Sequence, residues 1–137
     1  MTLVPPTAIV DAVREHALAG DPEEVVGVLA GSHGEKRSTV RRAYRAKNAA
    51  KLPRTRYEID PRTELELLDR IDRAGLEPVG FYHSHPDGPL KPSETDAALA
   101  AWPNYSYLIV SLASEPPEIG SWRWRDDRFE RESVRIE

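Results

Sequence analysis

Residues 78–102, PVGFYHSHPDGPLKPSETDAALAAW, pass from an apolar run through a turn-rich segment into an alanine-rich one. The run 78–86 has the length and composition of a strand, and it ends at Pro86 because proline cannot donate a hydrogen bond to a sheet. The following DGPLKP is rich in turn-forming residues. Ser93 is then placed to cap a short helix, since a serine side chain accepts from the free amides of a first helical turn. The segment predicts a strand, a sharp loop and a helix.

Two histidines, His83 and His85, stand at the end of this predicted strand. Side chains alternate between the faces of a strand, so both imidazoles project on the same side. Ser93 and Asp96 are three residues apart and both face the strand end from the first turn of the helix. A catalytic zinc is commonly held by three histidine or carboxylate ligands, with one position left open. The spacing therefore indicates a metal site made by His83, His85 and Asp96.

Each half of this pattern also has a simpler interpretation. A His-x-His pair on a strand is compatible with ordinary packing, and Ser-x-x-Asp after a proline is close to a capping box, in which both side chains bind helix amides. Their combination around a turn-rich loop favours the metal site. The chain contains no cysteine, which excludes disulfides, thiolate ligands and a cysteine nucleophile. His16 and His33 have no partners at ligand spacing.

The chain before residue 78 carries helical and strand patterns in alternation. Apolar residues recur at helical spacing near the N-terminus, and an unbroken apolar run after Glu24 indicates a central strand buried on both faces. The second predicted helix places Leu65, Leu68 and Ile71 on one face. In order, we predict a helix over 9–18, a strand over 25–31 paired with one over 38–48, a loop over 49–56, a short strand over 57–60, and a helix from Pro61 to Gly75.

Beyond Trp102 the pattern changes to strands alone. Three apolar or alternating runs, at 105–113, 119–125 and 128–137, are separated by Pro-Pro and Asp-Asp turns, which predicts three antiparallel strands. The whole order predicts a mixed α/β fold in which helices flank a curved sheet. At 137 residues the chain is of the size of one domain, so we expect a single domain over 1–137.

Composition excludes several classes of protein. No run approaches the ~18 apolar residues of a membrane span, and the N-terminus lacks a signal-peptide pattern, so we expect a cytoplasmic protein without a membrane partner. The formal net charge is −4, and the modest basic cluster at 41–47 is typical of a solvated strand edge, which argues against nucleic-acid binding.

Two motifs resemble those of the JAMM (MPN+) metalloproteases. The run His83-Ser84-His85-Pro86, with Ser93 and Asp96 after it, is similar to the family signature H-S/T-H-P-x6-S-x-x-D. The segment PEEVVGVLAG (22–31) resembles the family's P-x-E-x-x-G-x-L-x-G, which selects Glu24 over Glu23. The similarity extends to Asn48, the YEIDP segment and the YLIV strand.

The resemblance implies an MPN domain with a cytidine-deaminase-like fold and one zinc bound by His83, His85 and Asp96. It implies that Glu24 is the catalytic acid and base and that Ser93 stabilises the tetrahedral intermediate. The chain most resembles stand-alone prokaryotic members of the family, above all the archaeal desampylases. This resemblance implies an isopeptidase or peptidase that cleaves after the C-terminal Gly-Gly of a ubiquitin-like modifier with a β-grasp fold.

Three alternatives stay open from the sequence. Bacterial relatives release amino acids from sulfur-carrier proteins, other MPN domains are non-catalytic scaffolds, and one group of JAMM relatives is associated with DNA repair. Scaffolds usually lack one or more ligands, whereas all five motif positions are present here. The sequence does not identify the modifier, the type of amide bond or the oligomeric state.

Overall fold

The computed structural model describes all 137 residues. Its three helices are α1 (Thr7–Gly20), α2 (Pro61–Arg73) and α3 (Glu94–Leu99). Its seven strands are β1 (Thr2–Val4), β2 (Val26–Ser32), β3 (Arg37–Ala46), β4 (Glu77–His85), β5 (Ser106–Ser111), β6 (Glu118–Trp124) and β7 (Phe129–Val134). None of the helices is long and apolar enough to cross a bilayer. The mixed α/β class predicted from the sequence is confirmed.

The strands form a closed barrel in the order β1, β3, β2, β4, β5, β6, β7. β5, β6 and β7 form the predicted antiparallel meander. β4 pairs with β5 in parallel, and the short β1 closes the barrel by pairing in parallel with both β3 and β7. The predicted curved, mixed sheet is confirmed. Its closure was not predicted, because a three-residue strand followed by two prolines carries no alternating pattern.

Two apolar cores lie on opposite faces of the central strands. On one face, Val13 and Ala17 of α1 pack with Leu29 and Tyr82. On the other face, Leu67 and Ile71 of α2 pack with residues of β2, β4 and β6, namely Val28, Phe81 and Trp124. β2 contributes to both cores and pairs with β3 and β4, as its unbroken apolar run predicted.

Two local predictions were wrong. Residues 57–60 are not a strand: the amide of Glu58 donates to the side-chain Oδ1 of Asn48 instead of to a neighbouring strand. The buried face of α2 is formed by Leu67 and Ile71, whereas Leu65 is 69% exposed. The predicted end of this helix at Gly75 is confirmed, and the φ of +75° at that residue is one that glycine adopts readily.

A buried ion pair joins the neighbouring strands β6 and β7. Arg123 Nε on β6 donates to Glu132 Oε1 on β7 at 2.9 Å, and both side chains are fully buried. The hydroxyls of Ser106 and Ser121 donate to the other oxygen of Glu132 at 2.6 and 2.8 Å. Arg123 also donates to Ser38 Oγ on β3, which is not a neighbour of β6 in the sheet. We call these five residues the Arg123 cluster.

The pairing of β2 with β4 brings distant parts of the chain together. The two strands are antiparallel, and Val26 lies opposite His83. The segment that leads into β2 therefore lies beside the end of β4, where the sequence indicated a metal site. Glu24 approaches the two histidines although 59 positions separate it from His83 in the sequence.

Candidate metal centre

Four buried side chains converge where β4 ends. They are Glu24, His83, His85 and Asp96, and each offers one ligand atom such that all four atoms lie within 4.8 Å of one another. The elements that supply them are the segment before β2, the last residues of β4 and the first turn of α3. The structure thus brings together the three predicted ligands and the predicted acid/base.

The spacing of the three predicted ligands fits a small tetrahedral cation. Asp96 Oδ2 lies 3.2 Å from His83 Nε2 and 2.9 Å from His85 Nε2, and the two imidazole nitrogens are 3.2 Å apart. Tetrahedral ligands at the usual zinc bond lengths of ~2.0–2.2 Å are about 3.3 Å from each other. Lone-pair-bearing atoms packed this closely in a buried site require either shared protons or a cation between them. The donor set fits zinc.

Neighbouring groups orient each imidazole differently. His85 Nδ1 lies 3.0 Å from the Pro89 carbonyl, which can only accept, so Nδ1 carries a proton. Without a metal, Nε2 can donate to Asp96, and with a metal bound it would present its lone pair to the centre. His83 Nδ1 is buried and has no hydrogen-bond partner. The ring of Tyr57 instead stacks on His83, with centroids 4.2 Å apart and planes at 25°. The orientation of His83 is therefore set by stacking.

Asp96 serves the helix and the centre at once. Its backbone amide donates to Ser93 Oγ at 3.0 Å, and its Oδ2 accepts from the Ser93 amide at 2.8 Å, which completes a capping box at the start of α3. The same Oδ2 faces the two histidines. The capping interpretation and the metal interpretation of this motif are therefore compatible. Because Ser93 Oγ accepts from Asp96, its hydroxyl proton is free to be donated elsewhere.

Three backbone contacts fix the position of Glu24. Its amide donates to the Pro53 carbonyl at 2.7 Å, and its carbonyl accepts from Asn48 Nδ2 at 2.9 Å. The next amide, of Val25, donates to Ser84 Oγ at 2.8 Å, so the residue between the two histidines also anchors Glu24. Glu24 Oε1 itself has no partner. Burial raises the pKa of Glu24 to about 7, close to the value that suits a group that accepts and returns a proton.

The other three side chains influence one another electrostatically. Burial lowers the pKa of His83, so its imidazole is held neutral. Burial also opposes the charged forms of His85 and Asp96, but the contacts between them outweigh it. Hydrogen bonds from the imidazoles keep the pKa of Asp96 well below its usual range, and the hydrogen bond with Asp96 raises the pKa of His85. Asp96 is therefore ionised, the state in which a carboxylate binds metal.

Asn48 holds the loop 49–56 against Glu24. Its Nδ2 donates to the carbonyls of Glu24 and Arg56 at 2.9 and 2.8 Å, and its Oδ1 accepts from the amides of Ala50 and Glu58 at 3.0 and 3.1 Å. The sequence had singled out Asn48 and the segment containing Tyr57 only by resemblance, without a role for either. The local sequence does not indicate either role, because Asn48 contacts Glu24 and Tyr57 contacts His83, in each case more than 20 positions away along the chain.

Two depressions of different chemistry flank the centre. An apolar groove of about 780 Å³ lies on the His83 side, and its lining includes Tyr57, Phe81 and Trp102. A polar cleft of about 430 Å³ lies on the His85 side, and its lining includes Glu24 and Ser93. A substrate that passes over the centre can therefore contact an apolar surface on one side and a polar one on the other.

The remaining histidines lie outside the centre. His16 Nδ1 lies 2.7 Å from the Tyr82 hydroxyl, within hydrogen-bond distance, on the α1 side of the sheet. His33 stacks on Tyr105 with centroids 4.3 Å apart. Neither belongs to a group of ligand-type side chains.

A buried His-His-Asp set with an adjacent carboxylate on an α/β barrel defines a metal-dependent hydrolase. The chain belongs to the family described as prokaryotic homologs of the JAB domain, whose model matches residues 6–125. It is an enzyme that hydrolyses peptide or isopeptide bonds, as predicted, and the family's dependence on metal agrees with the four converging side chains.

The similar proteins agree in fold and class. A desampylase from Haloferax volcanii is 41% identical over 130 residues, which cover 95% of this chain and 90% of the relative. A CysO-cysteine peptidase from Mycobacterium tuberculosis is 34% identical over 129 residues, covering 93% and 86%. A solved structure of a Desulfitobacterium hafniense protein superimposes with a TM-score of 0.90 at 29% identity, covering 98% of this chain and 92% of the other.

Proposed function

We propose that this protein is a zinc-dependent peptidase that cleaves the amide bond after the C-terminal Gly-Gly of a ubiquitin-like modifier. The observation that carries the proposal is the convergence of His83 Nε2, His85 Nε2 and Asp96 Oδ2 within 3.2 Å, beside the unpartnered carboxyl oxygen of Glu24. Three ligands leave one tetrahedral position for water or substrate, and the carboxyl group is within reach of it.

Zinc would be held by His83, His85 and Asp96. When bound, it lowers the pKa of a coordinated water and polarises the substrate carbonyl. Two protein groups keep the ligands in place: the Pro89 carbonyl fixes the His85 tautomer, and the Tyr57 ring fixes the plane of His83. The Ser93 amide holds Asp96 Oδ2.

Glu24 would transfer the proton. Its carboxylate accepts a proton as the water oxygen bonds to the carbonyl carbon of the scissile amide. The carbon–nitrogen bond then breaks, and Glu24 returns that proton to the nitrogen, so that the amine leaves neutral. A pKa of about 7 allows Glu24 to exchange its proton in both directions near neutral pH.

Ser93 would stabilise the oxyanion. Its oxygen already accepts from the Asp96 amide, so its hydroxyl proton can be donated to the negative oxygen that develops on the substrate carbonyl. Ser93 is exposed in the polar cleft, where the substrate can reach it.

The shape of the centre supports a Gly-Gly tail. All four convergent side chains are buried, so the scissile bond must come close to the protein surface, and residues without side chains allow the closest approach. The apolar groove beside Tyr57 offers a surface for the chain that precedes the scissile bond. The similarity to a desampylase supports a modifier as the substrate.

A second candidate is the release of an amino acid from a sulfur-carrier protein. The similarity to a CysO-cysteine peptidase over 93% of this chain favours it. The chemistry at the scissile bond is the same in both reactions, and only the leaving group differs.

A conjugate assay tests the proposal. A ubiquitin-like protein linked through its terminal glycine to a lysine of a carrier protein is incubated with the zinc-loaded enzyme, with and without a chelator. We expect released modifier only without chelator, and little cleavage when the two glycines are replaced by leucine. Equal cleavage of the leucine version would identify a general peptidase, and no cleavage of any modifier substrate would refute the proposal.

A further inference from the structure

The polar cleft lies on the side from which the amine leaves. Glu24 lines the cleft and is absent from the lining of the apolar groove. In the proposed reaction Glu24 returns its proton to the departing nitrogen, so that nitrogen must face Glu24. The leaving group therefore occupies the cleft, whereas the modifier tail takes the apolar side.

Two cationic side chains line this cleft from opposite segments. Arg54 belongs to the loop 49–56, and Lys91 belongs to the loop between β4 and α3. Both are exposed, and neither forms an ion pair with any carboxylate of the protein. Besides the buried Glu24, the cleft has one carboxylate, that of the exposed Asp87. Two unpaired cations thus face the space where the leaving group lies.

Backbone hydrogen bonds tie both cations to the centre. Arg54 follows Pro53, whose carbonyl accepts from the Glu24 amide at 2.7 Å. The Lys91 amide donates to the Pro89 carbonyl at 2.9 Å, and the same carbonyl accepts from His85 Nδ1. The segments that carry the cations are therefore fixed relative to Glu24 and His85.

We infer that Arg54 and Lys91 form a subsite for a free carboxylate on the leaving group, so that the preferred substrate is a modifier carrying one α-linked amino acid after Gly-Gly. This inference rests on the proposed function and specifies its leaving group. In such a substrate the carboxylate is two bonds from the scissile nitrogen, and cationic side chains bind carboxylates through charge-assisted hydrogen bonds.

The cleft suits a lysine isopeptide less well. In an isopeptide, four methylene groups follow the scissile nitrogen, and no carboxylate lies near it. The three prolines of the lining can cover those methylenes, but Arg54 and Lys91 would then have no carboxylate to bind.

Three versions of one modifier test the inference. The first carries a single alanine after Gly-Gly, the second carries the same alanine as a carboxamide, and the third carries the isopeptide to lysine. The first two differ only in the charge of the terminal group. We expect the free carboxylate to be cut with at least about tenfold higher kcat/KM than the carboxamide, mainly through KM, since charge-assisted contacts are the stronger ones.

The variants Arg54→Gln, Lys91→Gln and their combination should reduce this preference stepwise to none, measured as the ratio of kcat/KM for the carboxylate substrate to kcat/KM for the carboxamide substrate. The controls Arg62→Gln and Lys47→Gln remove exposed cations that lie outside the cleft and should keep the preference in full. Equal cleavage of carboxylate and carboxamide by the natural protein would overturn the inference, as would a preference that persists in the double variant. Cleavage of the isopeptide alone would overturn the inference but keep the proposed function, whereas cleavage of none would overturn both.

Discussion

The metal centre and the Arg123 cluster are both buried and both charged, but they differ in how completely their polar atoms are paired. In the Arg123 cluster, each oxygen of Glu132 has a donor and the guanidinium donates to several oxygens. In the metal centre, Glu24 Oε1 and His83 Nδ1 lack partners, and they are the only buried side-chain polar atoms in the protein that do. Burying a polar atom without a hydrogen-bond partner costs free energy, so such atoms indicate where a ligand binds.

The largest effect on zinc content and activity is expected at Asp96, which we assign as a metal ligand, in contrast to the structural carboxylate Glu132. Asp96→Ala removes one ligand, and we expect the zinc content after reconstitution to fall to background and activity to disappear. Stability should fall by only about 1 kcal/mol, through loss of the helix cap. Metal analysis and thermal melting measure the two effects. His33→Ala, at a half-buried histidine outside the centre, should keep its metal, and a fully loaded Asp96→Ala protein would refute the ligand assignment.

The second effect concerns Glu24 alone. Glu24→Gln keeps the shape of the side chain but removes the proton carrier, so we expect kcat to fall by about 10²–10⁴-fold while zinc content and melting temperature persist. Steady-state kinetics on a modifier substrate measure the loss. The control Glu23→Gln changes the adjacent, exposed carboxylate and should be as active as the natural protein. Similar losses in both variants would contradict the role of Glu24.

In the Arg123 cluster, a substitution should reduce stability and leave zinc binding unchanged. Arg123→Met leaves Glu132 buried without its partner, and we expect about 3–5 kcal/mol of lost stability with normal zinc content in the folded protein. Denaturant melts measure this. The control Arg125→Met breaks the partly exposed pair with Glu130 and should cost far less stability, because solvent screens exposed charges.

A second variant covers the case in which Arg123→Met does not fold. Adding Glu132→Leu removes both charges and should recover much of the stability. Loss of zinc from a folded Arg123 variant would show that the two clusters are not independent.

The smallest effect, on the pH dependence of stability, is expected at His16, whose Nδ1 has a hydrogen-bond partner in the Tyr82 hydroxyl. Burial lowers its pKa to about 4, and the nearby Arg45 adds to this, whereas an unfolded histidine titrates near ~6.5. Below ~6.5 the unfolded chain takes up a proton that the folded protein does not, so stability is lost as pH falls from there toward 4. His16→Gln should melt with a slightly smaller difference between pH 7 and pH 5. An unchanged difference would show that His16 does not contribute.

The sequence predicted what depends on short spacing. His83, His85 and Asp96 lie within 14 positions, and the periods of strand and helix suffice to orient them. Glu24 had no local signal and was selected by resemblance alone. The stacking of Tyr57 on His83 was not predicted, because it joins a loop residue to a strand 26 positions away. The Arg123 cluster was not predicted, because strand periodicity does not indicate which polar side chains of β5, β6 and β7 are buried together with Ser38 of β3. An arginine and a glutamate in exposed-looking strands gave no indication of burial.

Errors in the fold have similar causes. The segment 57–60 has the composition of a strand, but a side chain, Asn48, takes the place of a neighbouring strand as its hydrogen-bond partner. β1 pairs with β3 and β7, two strands that are distant in the sequence, and no pattern within three residues can indicate such pairing.

The amide of Asn48 has a consequence for engineering. It fastens both ends of the loop 49–56 and the backbone of Glu24 through a single side chain. The loop between these contacts can therefore be exchanged with that of a relative, provided that position 53 still offers its backbone carbonyl to the Glu24 amide. Loop grafting onto an intact Asn48 is the natural route to versions of this enzyme that release different leaving groups.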